Sequence, residues 1–173
     1  MSAPAPWSQT VRLSEVQRGP ATHRLEADPA ARERIARLLD LPSLSRLSGE
    51  VETAPWLDGA ELRARWSAEL EQTCSVTADA FPQSPAGEFR LRVVPAGSRA
   101  APAPDAEVSV DPEAEDPPDV LESETLDLAA YLVEHLALEL DPFPRKPGAE
   151  WRPPEADAEP SPFAKLAALK DPR

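Results

Sequence analysis

Apolar and polar positions alternate most cleanly in "LRARWSAELEQ", residues 62–72. Leu62, Ala64, Trp66, Ala68 and Leu70 fall on one side, with Arg63, Arg65, Ser67, Glu69 and Glu71 on the other. A period of two sustained this long predicts a β-strand with one buried face. "FRLRVVP" repeats the pattern, setting Phe89, Leu91 and Val93 against Arg90 and Arg92. Upstream, "SLSRLSGEVET" carries Leu44, Leu47 and Val51 and predicts another strand, and Asp58-Gly59 between the two is a hairpin signal. "WSQTVRL" (7–13) and "HRLEA" (23–27) read as shorter strands, a turn is expected at "PQSPAGE", and "VLESETLDL" reads as a short strand re-entering the sheet. Strands at hairpin spacing favour an antiparallel, meander-like sheet.

The period changes to that of a helix in two main places. Asp28 and Pro29 supply an N-cap and a first helical position, and Ala31, Ile35, Leu38 and Leu39 share one face before Pro42 stops the helix. Asp127 caps a second helix with Leu128, Leu132, Leu136 and Leu140 on one stripe and Tyr131 and His135 beside it, ending before Pro142. Near the C-terminus, Ser161 and Pro162 open a short amphipathic helix with Phe163, Leu166 and Leu169 as its apolar residues. The predicted class is α+β: an antiparallel meander-like sheet packed with two main helices, plus a disordered acidic loop and a Pro-rich C-terminal tail. The expected organisation is one domain over 7–148, interrupted by the acidic insertion at about 96–118, followed by a tail over 149–173.

Composition sharpens this picture. Twenty-two of the 173 residues are proline, too many to sit inside regular elements. The segment "AGSRAAPAPDAEVSVDPEAEDPPD" has no large apolar residue besides two valines, so burial there does not offset the entropy of ordering. The net charge of −13 is localised: residues 100–144 hold 13 Asp and Glu and no Lys or Arg, and elsewhere 18 acids balance 18 bases. Such a block is either a solvated loop or a surface for something basic.

Several chemistries find no support. Cys74 is the only cysteine, which excludes an intrachain disulfide and a CxxC site. No apolar run approaches ~18 residues, and the N-terminus lacks the basic and apolar regions of a secretory signal, so a cytoplasmic protein without a membrane role is expected. His23 and His135 have no partner at ligand spacing, and the six glycines form no phosphate loop. No nucleophile motif accompanies a base, so neither catalysis, a cofactor, a metal nor a small-molecule substrate is expected. Cys74 reads as a small buried hydrophobe and Trp66 as core, whereas Trp7, Trp56 and Trp151 read as candidates for a docking surface. Arg63, Arg65, Arg90 and Arg92 share an outer face if their strands pair, where they either contact RNA phosphate or are solvated opposite Glu69 and Glu71.

The segment "LALELDPFPRKPG", residues 136–148, starts as a helix and ends among prolines with a change of charge sign. The prolines Pro142, Pro144 and Pro147 flank Arg145 and Lys146. They either stiffen a docking loop or merely end the helix, where two bases are favourable near its negative end.

Three blocks taken together, "ELEQTCSVTADAF", "DVLESETLDLAAYLVEHLALELDPFPRKPG" and "SPFAKLAALK", resemble the YceD family of large ribosomal RNA subunit accumulation proteins, in the form seen in alphaproteobacteria. The matching positions are Cys74, Val76 and Thr77 in the first block. The second contributes Asp127, Leu128, Glu134, Leu136, Leu138, Asp141, Pro142, Pro144, Arg145, Lys146, Pro147 and Gly148. The third contributes Pro162, Phe163, Leu166, Leu169 and Lys170. The resemblance implies a non-enzymatic ribosome biogenesis factor needed for accumulation of large-subunit (23S) rRNA, with ribosomal RNA or a large-subunit ribosomal protein as partner. The alternative is an adaptor that recruits a partner through the terminal PFAKLAALK helix. Other branches of the family carry further cysteines near these positions, which this chain lacks.

Overall fold

The computed structural model describes residues 5–102 and 116–151. It is mixed α/β and strand-rich. In chain order the elements are β1 (Thr10–Arg12), α1 (Leu13–Val16), β2 (Ala21–Glu26), α2 (Pro29–Leu38), β3 (Ser43–Trp56), β4 (Gly59–Thr73), β5 (Ala80–Gln83), β6 (Ala86–Pro95), β7 (Asp119–Leu121), β8 (Thr125–Asp127) and α3 (Leu128–Glu139). The main sheet runs β2-β3-β4-β6-β7, with β5 also paired to β4, and β1 pairs with β8 in a separate ribbon.

The long hairpin of β3 and β4 is the centre of the fold. Leu62, Ala64, Trp66, Ala68 and Leu70 are all buried, as their alternation requires. The hairpin turns through Leu57 and Asp58, because Trp56 already pairs with Gly59. Leu57 takes the positive φ of 50°, while Gly59 is the first residue of β4. A Cβ on Gly59 would lie 1.9 Å from the Val93 carbonyl oxygen, so glycine is needed for the close approach of β6 rather than for the turn. Trp66 pairs with Gly49 on one side and Gly87 on the other. Its indole covers Gly87, and Leu132 of α3 sits over Gly49, where a Cβ would meet the leucine at 2.9 Å. Two glycines thus make room on one face for an indole and a helix.

Both longer helices pack into the same core. Asp28 caps α2 by accepting from the Ala31 N–H at 2.8 Å, and Ala31 and Ile35 are fully buried. Leu38, expected on the buried face, is 61% exposed; the contact falls to Leu39 and Leu41 instead. In α3, Leu128, Leu132 and Leu136 are fully buried, with Ala129 and Val133 beside them. Leu140, beyond the last helical turn, is only partly buried. His135 is stacked on Phe89 with ring centroids 3.8 Å apart, and His23 shares a hydrogen bond with the Thr53 hydroxyl.

Five further expectations need correction. The strand expected over 7–13 is only Thr10–Arg12, because Leu13 and Val16 turn inward as a short helix. Trp7 is not a docking residue but 9% exposed within the core. Trp56 is half-buried beneath the Arg92 guanidinium, 4.8 Å from the ring. No turn reverses the chain at "PQSPAGE": β5 and β6 pair successively along the same edge of β4, with the Ala68 N–H reaching the Pro85 carbonyl between them. The reversal lies in residues 74–79, where Ala78 adopts φ 59°. "VLESETLDL" is two strands, not one. β7 joins β6 in parallel, against the antiparallel expectation, and β8 leaves the sheet to pair with β1. The acidic insertion lies largely outside the described residues; its flank at 96–101 is a hydrogen-bonded turn in which Ser98 donates to Asp58. The expected terminal helix lies outside them entirely.

Candidate docking site

The outer face of the sheet is a charge lattice rather than a basic patch. Arg63, Arg65, Arg90 and Arg92 do share it, through the register of β4 with β6. Glu61 stands among three of them: Arg63 at 2.9 Å, Arg90 at 2.6 Å and Arg92 at 3.5 Å. The hydrogen bond from Arg90 holds its carboxyl below the ordinary range despite partial desolvation. Arg65 approaches Glu88, and Arg24 of β2 pairs with Glu50. These arginines are paired to carboxylates, which favours the solvated reading over phosphate contact.

The proline loop is organised differently. Residues 141–149 rest on the turn at 74–79, brought together across some 70 positions of sequence. The Ser75 N–H and hydroxyl both donate to the Pro144 carbonyl, at 2.8 and 3.0 Å. Gln72, buried at the end of β4, donates to the Asp141 carbonyl at 3.1 Å. Lys146 makes two contacts to the turn: its N–H points at the Cys74 sulfur at 3.4 Å, and its ammonium lies 3.4 Å from Asp79. Inside the loop, the Asp141 side chain accepts the Phe143 N–H, and the Ala149 N–H closes a turn on the Lys146 carbonyl, with Gly148 at φ 76° within it. Prolines at 142, 144 and 147 carry no N–H, and the residues before them are biased to extended backbone. Phe143 and Lys146 precede prolines, and each spends its N–H on a defined acceptor.

Cys74 is 1% exposed beneath this loop. Its sulfur accepts the Val76 and Lys146 N–H groups, both at 3.4 Å. The Thr77 side chain is the largest influence and the Lys146 backbone the next. Together they hold the thiol at about 7 against an ordinary 9.0, outweighing the burial that pushes it up. It is therefore more than the small buried hydrophobe expected: it is an acceptor that ties the two segments. Among the described residues, no group of three or more His, Cys, Asp and Glu side chains is placed to hold a metal ion.

Of the residues singled out from sequence, Cys74, Pro142, Pro144, Arg145, Lys146 and Pro147 are brought to one place. Phe163, Leu166, Leu169 and Lys170 lie outside the described residues. Sequence reasoning passed over Gln72, Ser75, Asp79 and Phe143. Gln72 had a signal, since the inward period of β4 runs Leu70, Gln72, Cys74, and a polar residue at an inward position needs a partner. The surface here is also unusual in apolar exposure. Of six exposed large hydrophobic residues among the described residues, three lie in residues 138–151: Leu138 at 74%, Phe143 at 73% and Trp151 at 71%.

The two segments that meet here both lie inside a family match. Residues 62–170 match the model described as large ribosomal RNA subunit accumulation protein YceD. That span covers more than half of the chain, from β4 onward, and the chain belongs to this family. No curated protein and no solved structure matches it significantly. No helix among the described residues is long and apolar enough to cross a membrane.

Proposed function

We propose that this YceD-family protein supports accumulation of large-subunit ribosomal RNA by binding rather than by catalysis, with the loop at 141–149 as its docking element. The family description links the chain to the large ribosomal subunit RNA. The observation that carries the docking reading is the pinning of that loop. Four separate hydrogen bonds from Gln72, Ser75 and Lys146 fix it, yet Phe143 and Arg145 face solvent. A helix that merely needed to stop would not require so many bonds to the segment after it. A preformed loop loses less entropy on docking than a loose one. In this reading residues 7–148 are the working unit and 149–173 its tail.

The test is the double variant Arg145→Ala, Lys146→Ala. Exposed charges near a helix end contribute only ~0.3–1 kcal/mol each to stability. The melting temperature should therefore move by only a few degrees. Recovery of the physiological partner from cells, and the level of mature large-subunit RNA, should both fall. Unchanged recovery and unchanged RNA would leave the loop as a helix stop only.

A further inference from the structure

The docking element lies at one end of a longer surface, and the charge of that surface identifies what it fits. A cleft between α3 and the β7–β8 turn is lined by Asp119, Glu122, Asp127 and Glu134, with Tyr131 among them. Burial and the nearby negative charges of Asp119 and Glu134 push the Tyr131 hydroxyl well above its ordinary value, and its O–H donates to Asp119 at 3.3 Å. Glu134 links this cleft to the loop. Leu138, four residues on, lies on the same exposed stripe of α3, and Asp141 and Phe143 follow directly. Across residues 116–151 there are nine Asp and Glu against Arg145 and Lys146 alone, and the Lys146 ammonium is already held by Asp79.

We infer that the surface from the α3 cleft through Leu138 to Phe143 binds a lysine- and arginine-rich segment of a partner protein, with an apolar side chain of that segment seated against Leu138 and Phe143. This rests on the loop being a docking element, with Arg145, beyond Phe143, meeting the partner outside its cationic stretch, and adds the partner's chemistry. Exposed apolar anchors at the rim of a predominantly acidic cleft suit a polycation with an apolar side chain. They oppose a polyphosphate, which would bring its charges against Glu122, Glu134 and Asp141. On the other side of the molecule the arginines that would suit RNA are neutralised by Glu61, Glu50 and Glu88. Among the described residues, the outer edge of β7 pairs with no strand, and Val120 there is 45% exposed, leaving room for an extended segment beside the cleft.

The experiment uses the full chain and two probes of matched length, a synthetic Lys/Arg-rich peptide containing one Leu and one Trp, and an unstructured RNA oligonucleotide. Each is titrated at low and at physiological salt. The peptide should bind more tightly than the RNA at both, and more weakly as salt rises. The pair Glu122→Lys, Glu134→Lys should weaken peptide binding at least about tenfold at low salt, since steered, charge-matched contacts are lost. Should that pair unfold the chain, Glu122→Gln with Glu134→Gln keeps the test, with a smaller loss expected. RNA binding tighter than the peptide, or peptide affinity unmoved in a folded charge variant, would overturn the inference. Phe143→Ala separates the two claims. Peptide binding lost with the charge variants but untouched by Phe143→Ala would support the cationic partner while removing the loop as its anchor. Partner recovery from cells that depends on Arg145 and Lys146, with no peptide affinity in vitro, would overturn the cationic partner and leave the docking loop standing.

Discussion

The meander and the segment that follows it handle charge and apolar surface in opposite ways. Over residues 5–102 there are 13 acids and 12 bases, set against one another across neighbouring strands, so that Glu61 alone serves three arginines. Over 116–151 the acids are left unbalanced, and large apolar side chains stand in water beside them. The first arrangement satisfies itself. The second leaves charge and apolar side chains open to solvent. The contrast also separates the two kinds of tryptophan: Trp66, wedged between Gly49 and Gly87, is 5% exposed, and Trp151 is 71% exposed.

That pair of tryptophans offers the sharpest way to break the contrast. Trp66→Ala should destabilise the protein by ~3–5 kcal/mol, as large aromatic deletions in cores do. Denaturant unfolding measures it, and a loss under ~1 kcal/mol would mean that the indole is not part of a close-packed layer. Next in size is Glu61→Gln. Its arginine partners Arg63 and Arg90 are more than half exposed, so solvent screens each pair, and the total loss should be about 1 kcal/mol, shrinking with added salt. A salt-independent loss would indicate a packing role for the side chain instead of a charge balance.

A subtler effect is expected at the joint between the two regions. The folded Cys74 thiol titrates at about 7 and the unfolded one near 9.0. Its depressed value means that the thiolate favours the folded state. The resulting stability is full above about 9 and is lost as pH falls through about 7. The difference in stability between the natural chain and Cys74→Ala should therefore widen between pH 7 and 9, and a pH-independent difference would show that the sulfur acts only as a packed atom. Smallest of all should be Trp151→Ala, within about 0.5 kcal/mol on stability. A loss comparable to that of Trp66 would erase the distinction drawn between the regions.

Legibility from sequence followed the same division. The β3–β4 hairpin, α2 and the start of α3 were readable because periodicity and caps are local: alternation about Trp66, Asp28 before Pro29, Asp127 before Leu128. The errors fell where a distant partner decides the outcome. "VLESETLDL" splits because its first half finds β6 and its second half finds β1. "PQSPAGE" does not reverse the chain, because a long β4 offers edge enough for two short strands in succession. Trp7 reads as a docking residue because no periodic element surrounds it in sequence, yet it joins the core. For the candidate site, the proline loop and Cys74 were visible as separate motifs. That they meet was not, since the bonds from Ser75 and Lys146 join segments with no shared periodicity.

The ribbon of β1 and β8 has a consequence for how the chain is made. Thr10, Val11 and Arg12 pair with Asp127, Leu126 and Thr125, and the Leu13 N–H reaches Glu124. During synthesis β1 emerges early and its partner late. At ~5–20 residues per second the interval is on the order of ten seconds, long compared with hairpin formation. The β3–β4 hairpin can close within that time, whereas Thr10, Val11 and Arg12 must wait for the strand that pairs with them. The newborn protein therefore passes through a stage in which its centre is built and its first strand is still unattached, and a nascent chain halted before Thr125 remains at that stage.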